Sequence, residues 1–328
     1  MESFTEKSKF RIAVLGIGGV GGYFGGKLAA HFADSENVEI IFITRGENEK
    51  VIKADGLKII TSDGEVVTKP KLTTGVASEI GAIDLLILCV KTYDLEESIL
   101  SVRDSVGEHT TILPLLNGVD NTEKIKELMP YAEVWKGCVF IVSRLITPGV
   151  VKVDSRVRLL QFGGSGNTDK KSELTEQLFS SAGIDAELSA DILKKIWEKF
   201  IFISSLATLT SFLDTNVGGI KCKAENKETL LKLIEEVTQL AKTKQINVDE
   251  NIIGITLDRI NNLPDENTTS MHNDFAKGGR TELASLTGYV VNESKALNLS
   301  SPVYERLYAE LLKRDGIVKF QGQSTSGH

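Results

Sequence analysis

The stretch "RIAVLGIGGVGGYFGGKLA", residues 11–29, decides the fold. An apolar run stops at Gly16, and a segment of helical composition follows from Val20. Strand, tight turn and helix in that order open a βαβ unit, and Gly16, Gly18 and Gly21 stand in it as G-x-G-x-x-G. Gly16 permits the turn, Gly18 lets backbone approach a pyrophosphate, and Gly21 lets the helix pack closely on the strand. The helix N-terminus then offers unpaired N–H groups and the positive end of its dipole. Gly16, Ile17, Gly18, Gly19, Val20 and Gly21 are therefore the candidate dinucleotide-binding turn. The plainer alternative is a glycine-rich turn that only packs a helix on a sheet.

Outward from this stretch, strand and helix patterns alternate. "VEIIFITR" (38–45) reads as the next strand, and "AIDLLILCVK" (82–91) and "HTTILPLLNG" (109–118) as later ones. Their continuous rather than alternating apolar character predicts a mainly parallel sheet covered on both faces. "LKIITSDGEVVTKPKLTT" (57–74) reads as a hairpin turning at Asp63-Gly64. Residues 134–164 are hairpin-like, and one helix near 169–182 and a short strand complete this half. After about residue 188 the strands stop, and helical patterns follow at 192–213, 227–244, 281–298 and 302–314. The expected fold class is an α/β Rossmann-type N-terminal domain over residues 1–188, followed by an all-α C-terminal domain over 189–328. The polar tail "FQGQSTSGH" is expected to fray.

Composition narrows the function. The chain has 328 residues, enough for two domains, and its net charge of −7 argues against nucleic acid as a main partner. No uninterrupted apolar run approaches the ~18 residues of a membrane span, so no membrane partner is expected. "MESFTEKSKF" at the N-terminus lacks the apolar core of a secretory signal. Cys89, Cys138 and Cys222 are far apart and odd in number, which points to a reducing cytoplasm. Four histidines, no two placed as metal ligands, predict no metal site.

The end of the second strand discriminates between cofactors. An NAD site usually carries an acid about 20 residues beyond the glycines, reading the ribose 2′-hydroxyl. Here Thr44 and Arg45 occupy that place, with no acid before Glu47. A guanidinium meets a 2′-phosphate well, so the expected cofactor is NADPH/NADP; otherwise Arg45 is an exposed loop arginine.

A second question is posed by "KKIWEKFIFISSLATL" (194–209). Lys199 is the last charge before a stretch apolar on every side, and a helix apolar all round is a buried one. Taken alone, Lys199 reads as a lysine that snorkels its amine to water.

Several fragments together resemble the ketopantoate reductases (2-dehydropantoate 2-reductases), which reduce ketopantoate to pantoate with NADPH on the route to pantothenate and coenzyme A. They are "GIGGVGGYFGGKLA", "CVKTYD", "LLNGVDN", "IWEKF" and "SMHNDFAKGGRTELASLTGYV", in the family's order across nearly the whole chain. The resemblance implies that Lys199 is the catalytic lysine and Glu282 the acid that pairs with it and with the substrate hydroxyl and also lies at the cofactor. It places Lys91 and Asn117 beside the nicotinamide, with Asn117 and Ser270 contacting the substrate, a small 2-oxo acid. By themselves Glu282 is a first-turn helix acid, Ser270 a cap serine, Asn117-Gly118 a turn pair and Lys91 a strand-end lysine. A homodimer fits the helical domain, though no residue decides it.

One part of the family's pattern is missing. Ketopantoate reductases carry asparagines one and two turns beyond the catalytic lysine, where this chain has Ile203 and Ala207. Neither side chain can hydrogen-bond, and Ser204 and Ser205 point about 100° and 160° away from Ile203 on a regular helix. A relative reducing a more apolar 2-oxo acid, or an NADPH sensor without turnover, are the alternatives.

Overall fold

The computed structural model describes residues 9–164 and 169–324. Most of "MESFTEKSKF" and the last four residues lie outside them, and the rest of the tail expected to fray continues the final helix to Ser324. The chain folds as two compact units. One comprises residues up to Leu116 together with Asp120–Ile192, and the other joins Asn117–Val119 to the chain from Leu193 onward.

The first unit is organised by a six-stranded sheet in the order β5-β2-β1-β6-β7-β8. Its strands are β1 (Phe10–Leu15), β2 (Val38–Ile43), β5 (Leu72–Thr74), β6 (Leu85–Leu88), β7 (Thr111–Pro114) and β8 (Glu133–Val134). Every neighbouring pair is parallel. Alternate residues explain the unbroken apolar runs. Ile12, Val14, Phe42 and Ile87 enter one core, while Ala13, Leu15, Ile41 and Leu88 enter another on the opposite face. Helices α1 (Gly19–His31), α2 (Gly46–Asp55), α3 (Ala77–Ile80), α4 (Leu95–Ser101) and α5 (Asn121–Leu128) alternate with these strands.

The expected hairpin is present as β3 (Leu57–Thr61) and β4 (Gly64–Thr68). Thr61 pairs with Gly64, so the two turning residues are Ser62 and Asp63, one position earlier than read from Asp63-Gly64. Gly64 instead opens the strand at φ +131°, a value that suits glycine. β10 (Ser143–Thr147) and β11 (Val150–Val153) join this hairpin in a four-stranded sheet. β9 (Lys136–Phe140), β12 (Leu159–Gly163) and β13 (Asp185–Leu188) form a three-stranded one. α6 (Lys170–Ser181) starts in a capping box, with Asp169 accepting from Ser172 N at 2.7 Å.

The second unit is helical: α7 (Ile192–Leu213), α8 (Val217–Lys221), α9 (Ala224–Thr243), α10 (Ile252–Asn261), α11 (Ser270–Ala276), α12 (Tyr289–Ala296) and α13 (Pro302–Ser324). The sequence pattern at 281–298 predicts one helix, but Ala284–Gly288 form a π turn leading into α12. Contrary to the expectation from run length, α7 is long and apolar enough to cross a membrane. Lysines and Glu198 crowd its beginning and mask this in a simple count of apolar residues. Its most apolar stretch is 72% buried, and Trp197, Phe200, Ile201, Leu206 and Leu209 belong to the core of the second unit.

Candidate active site

The glycine turn lies at the C-terminal end of β1, where strand order reverses between β2 on one side and β6 on the other. Gly16 has φ +94°, and a Cβ there would stand 2.9 Å from the Cys89 carbonyl oxygen. A Cβ on Gly21 would fall 2.1 Å from Gly16 O, so this helix can approach its strand only with glycine at that position. A Cβ on Gly18, the N-cap of α1, would meet nothing within 4 Å. Gly22 N donates to Gly18 O at 2.9 Å and closes the first helical turn. The N–H groups of Gly19, Val20 and Gly21 precede that closure and have no acceptor within the helix. Open space at Gly18 beside three such donors fits the diphosphate of a dinucleotide.

Around the turn, the structure adds residues that sequence motifs did not single out. Asn48 of α2 donates from Nδ2 to Ile17 O at 3.0 Å and to Thr44 Oγ1 at 3.1 Å, while its Oδ1 accepts from Gly149 N at 2.8 Å. One amide thus ties the glycine turn to the end of β2 and to the β10–β11 turn. Arg45 is the exposed N-cap residue of α2 and pairs at 3.2 Å with Glu97, equally exposed on α4. Along the chain no acid follows Arg45 before Glu47; Glu97 is invisible to a linear reading because it follows 52 positions later. Lys91 is half-buried beyond the end of β6. Desolvation of the partly buried Cys89 against the core pushes its thiol well above the ordinary pKa, so it stays neutral.

In the second unit, three of the expected residues come together. Lys199, half-buried on α7, donates from Nζ to Asn117 Oδ1 at 3.0 Å. Asn117 Nδ2 donates in turn to Glu282 Oε2 at 3.3 Å. Glu282 is only 3% exposed, and a carboxylate so buried needs partners of this kind. The amide reads the ammonium with its oxygen and the carboxylate with its nitrogen, holding acid and base on one hydrogen-bonded line. Such a line can offer a proton to an oxygen brought to Lys199 while the carboxylate balances its charge.

Ser270 is exposed at the start of α11. The capping role falls to Thr269, whose Oγ1 accepts from His272 N at 3.3 Å, so the Ser270 hydroxyl is not committed to it. Ile203 is half-buried and Ala207 fully buried on α7. Ser204 and Ser205 are engaged elsewhere: Ser204 Oγ donates to Leu286 O at 3.2 Å and Ser205 Oγ to Ile201 O at 2.8 Å. Among the described residues, no cluster of His, Cys, Asp or Glu could hold a metal ion.

Comparison with known proteins gives this geometry a setting. Residues 12–163 match the family model described as ketopantoate reductase PanE/ApbA, and residues 191–315 match the model of that family's C-terminal part. The chain is 28% identical over 302 residues to an uncharacterized oxidoreductase, YkpB, of Bacillus subtilis, covering 92% of this chain and 97% of that one. It is 34% identical to the crystal structure of 2-dehydropantoate 2-reductase from Porphyromonas gingivalis W83, with a TM-score of 0.82 over 93% of this chain and 100% of that one. The fold is shared, at 22% identity and a TM-score of 0.82, with a D-mandelate dehydrogenase solved as a ternary structure with NADH and anilino(oxo)acetate; 94% of this chain and 100% of that chain are covered.

Proposed function

The chain belongs to the ketopantoate reductase PanE/ApbA family, and from that premise we propose that it is the NADPH-dependent oxidoreductase that reduces 2-dehydropantoate to pantoate. The observation that carries the reading is the Lys199–Asn117–Glu282 line of hydrogen bonds. A bound NADPH supplies a hydride to the ketone carbon. As that carbon is reduced, negative charge grows on the carbonyl oxygen, and the Lys199 ammonium stabilises it and donates its proton there. Water then returns a proton to Lys199. Glu282, acting through Asn117, keeps the lysine oriented and its charge compensated. The Ser270 hydroxyl is assigned to the substrate carboxylate.

For the cofactor, the first-turn N–H groups of Gly19, Val20 and Gly21 take the diphosphate. Arg45 takes the 2′-phosphate after leaving Glu97, and Lys91 and Asn117 serve the nicotinamide end. The D-mandelate dehydrogenase of this fold, solved with NADH, supports a nicotinamide cofactor, and Arg45 favours NADPH over NADH. We assign the reaction to the cytoplasm, a reading supported by the odd number and wide spacing of Cys89, Cys138 and Cys222. The homodimer remains part of the proposal, as in a ketopantoate reductase of the same fold described as dimeric.

A second reading is favoured by one observation. Ile203 and Ala207 line α7 one and two turns beyond Lys199, where the family resemblance expects asparagines. A pocket without those amides favours a more apolar 2-oxo acid, and the D-mandelate dehydrogenase has this fold. The test is the loss of NADPH absorbance with ketopantoate, beside a panel of apolar 2-oxo acids and an NADH control. Saturable turnover with ketopantoate is expected. Turnover only with another oxo acid keeps the chemistry and replaces the substrate; tight NADPH binding without turnover of any oxo acid makes the protein a sensor.

A further inference from the structure

Helix α7 holds more hydroxyls than an apolar core helix needs. Ser204, Ser205, Thr208, Thr210 and Ser211 are all fully buried, and a buried hydroxyl is costly unless it is hydrogen-bonded. Ser205 donates to its own helix at Ile201 O, with Tyr304 Oη 3.4 Å away, and among the described residues Ser211 Oγ finds no hydrogen-bond partner. Three others reach off the helix, and their partners are not scattered over the core.

Two of them converge on the π turn at Ala284–Gly288. Ser204 Oγ donates to Leu286 O at 3.2 Å, and Thr208 Oγ1 meets Thr287 Oγ1 at 2.8 Å. Leu286 is in turn tied to Glu282, because its N–H donates to Glu282 O at 3.0 Å. Ser285 Oγ donates to the same carbonyl at 3.1 Å. The buried phenol of Tyr304 lies 2.8 Å from Ser204 Oγ, and burial holds its pKa up, so it remains a neutral donor. The third hydroxyl goes elsewhere: Thr210 Oγ1 lies 2.9 Å from Thr269 Oγ1. With the Thr210 hydrogen directed at Leu206 O, 2.8 Å away, the proton between the two threonines comes from Thr269. Thr269 is the cap of α11, immediately before Ser270. π turns of this kind are often found at functional sites.

We propose that Ser204, Thr208 and Thr210 are positioning residues that register two segments to the helix bearing Lys199: Ser204 and Thr208 hold the π turn beside Glu282, and Thr210 holds the cap beside Ser270. This inference rests on the catalytic reading above. It assigns separate tasks to hydroxyls on one helix. The Thr208 arm acts on the acid–base line, and the Thr210 arm acts on the residue assigned to the substrate carboxylate.

The test compares two isosteric variants. Thr208→Val lowers kcat about tenfold and leaves KM for the oxo acid within about twofold. Thr210→Val raises KM about tenfold and leaves kcat within about twofold. Thr208→Ser and Thr210→Ser, which keep the hydroxyl, restore each parameter; a role confined to packing produces no such split. If both valine variants lower only the melting temperature, or change kcat and KM in the same proportion, the proposal is overturned. A second readout works without turnover: the pH profile of Lys199 acetylation, followed by mass spectrometry. Thr208→Val displaces this profile and Thr210→Val does not; an unchanged profile in Thr208→Val overturns the inference. If the wild type reduces no oxo acid while the labelling profiles split as described, the catalytic reading fails and the positioning inference stands.

Discussion

Six consecutive residues, 16–21, make the glycine turn of the first unit, and nearly every constraint on them is a constraint on backbone. The Lys199–Asn117–Glu282 line of the second unit joins side chains separated in sequence by 82 and 165 positions. The first construction needs only space and unpaired N–H groups; the second needs three side chains delivered to one place by a folded core. The two regions should therefore fail differently. Loss of the lysine from the line should remove chemistry and leave cofactor binding, while damage to the turn should remove binding.

The largest expected effect comes from Lys199→Ala. Removal of the proposed general acid should lower kcat by about 10²–10⁴, while NADPH affinity, titrated by fluorescence, stays within about twofold of wild type. Collapse of cofactor affinity in this variant would show that Lys199 itself contributes to holding the cofactor.

Next in size is a pair of substitutions within the turn. Gly21→Ala places a Cβ 2.1 Å from Gly16 O, and such overpacking costs about 1–3 kcal/mol. The melting temperature and the cofactor affinity should fall together. Gly18→Ala meets no protein atom within 4 Å, so its melting temperature should hold while NADPH affinity falls about tenfold, since the methyl fills the diphosphate's approach. Equal losses of stability in both variants would mean that Gly18 is a packing glycine like Gly21.

How much of each region is legible in sequence follows from the same contrast. Gly16, Gly18 and Gly21 could be read directly, because strand, turn and helix are local and the reason for each glycine is steric. The parallel sheet was equally legible, since its strands must be apolar on both faces. Lys199 alone was ambiguous, as any lysine at the mouth of an apolar helix is, and Asn117 and Glu282 carried no local signal. Only the family resemblance named them, and only the fold explains the amide between them. Asn48, Glu97 and the α7 hydroxyls escaped because their partners lie far along the chain. The π turn escaped because Leu283, Leu286, Val290 and Val291 keep an ordinary helical spacing through it.

A third prediction concerns pH. Residues 16–21 contain no titratable side chain, whereas the second unit holds Glu236, which accepts from Val303 N and Tyr304 N at 2.9 Å each and caps α13. Burial raises the Glu236 pKa above 4.5, although the two N–H groups pull it down. A raised carboxyl pKa means that the folded protein binds more protons than the unfolded chain. Its contribution is fully present below the unfolded value and is lost as pH rises through the folded one. The stability of wild type relative to Glu236→Gln, measured by urea denaturation at a series of pH values, should accordingly fall as pH rises above about 4.5. A relative stability that rises instead would mean that the two cap hydrogen bonds outweigh desolvation.

The smallest effect lies at the rim of the nucleotide region, where a long-range side-chain contact intrudes on a locally built site. Arg45 and Glu97 are both largely exposed, and exposed pairs contribute only about 0.2–1 kcal/mol. On the proposed assignment a 2′-phosphate displaces Glu97 before the guanidinium takes it, so the pair should weaken discrimination between NADPH and NADH by that amount. Glu97→Gln removes the competition and should raise the NADPH:NADH affinity ratio by about 1.5- to 5-fold, with most of the change in NADPH binding. The increase should shrink at high salt, where the ion pair is already screened. An unchanged ratio at low salt would show that Arg45 meets the phosphate without leaving its acid.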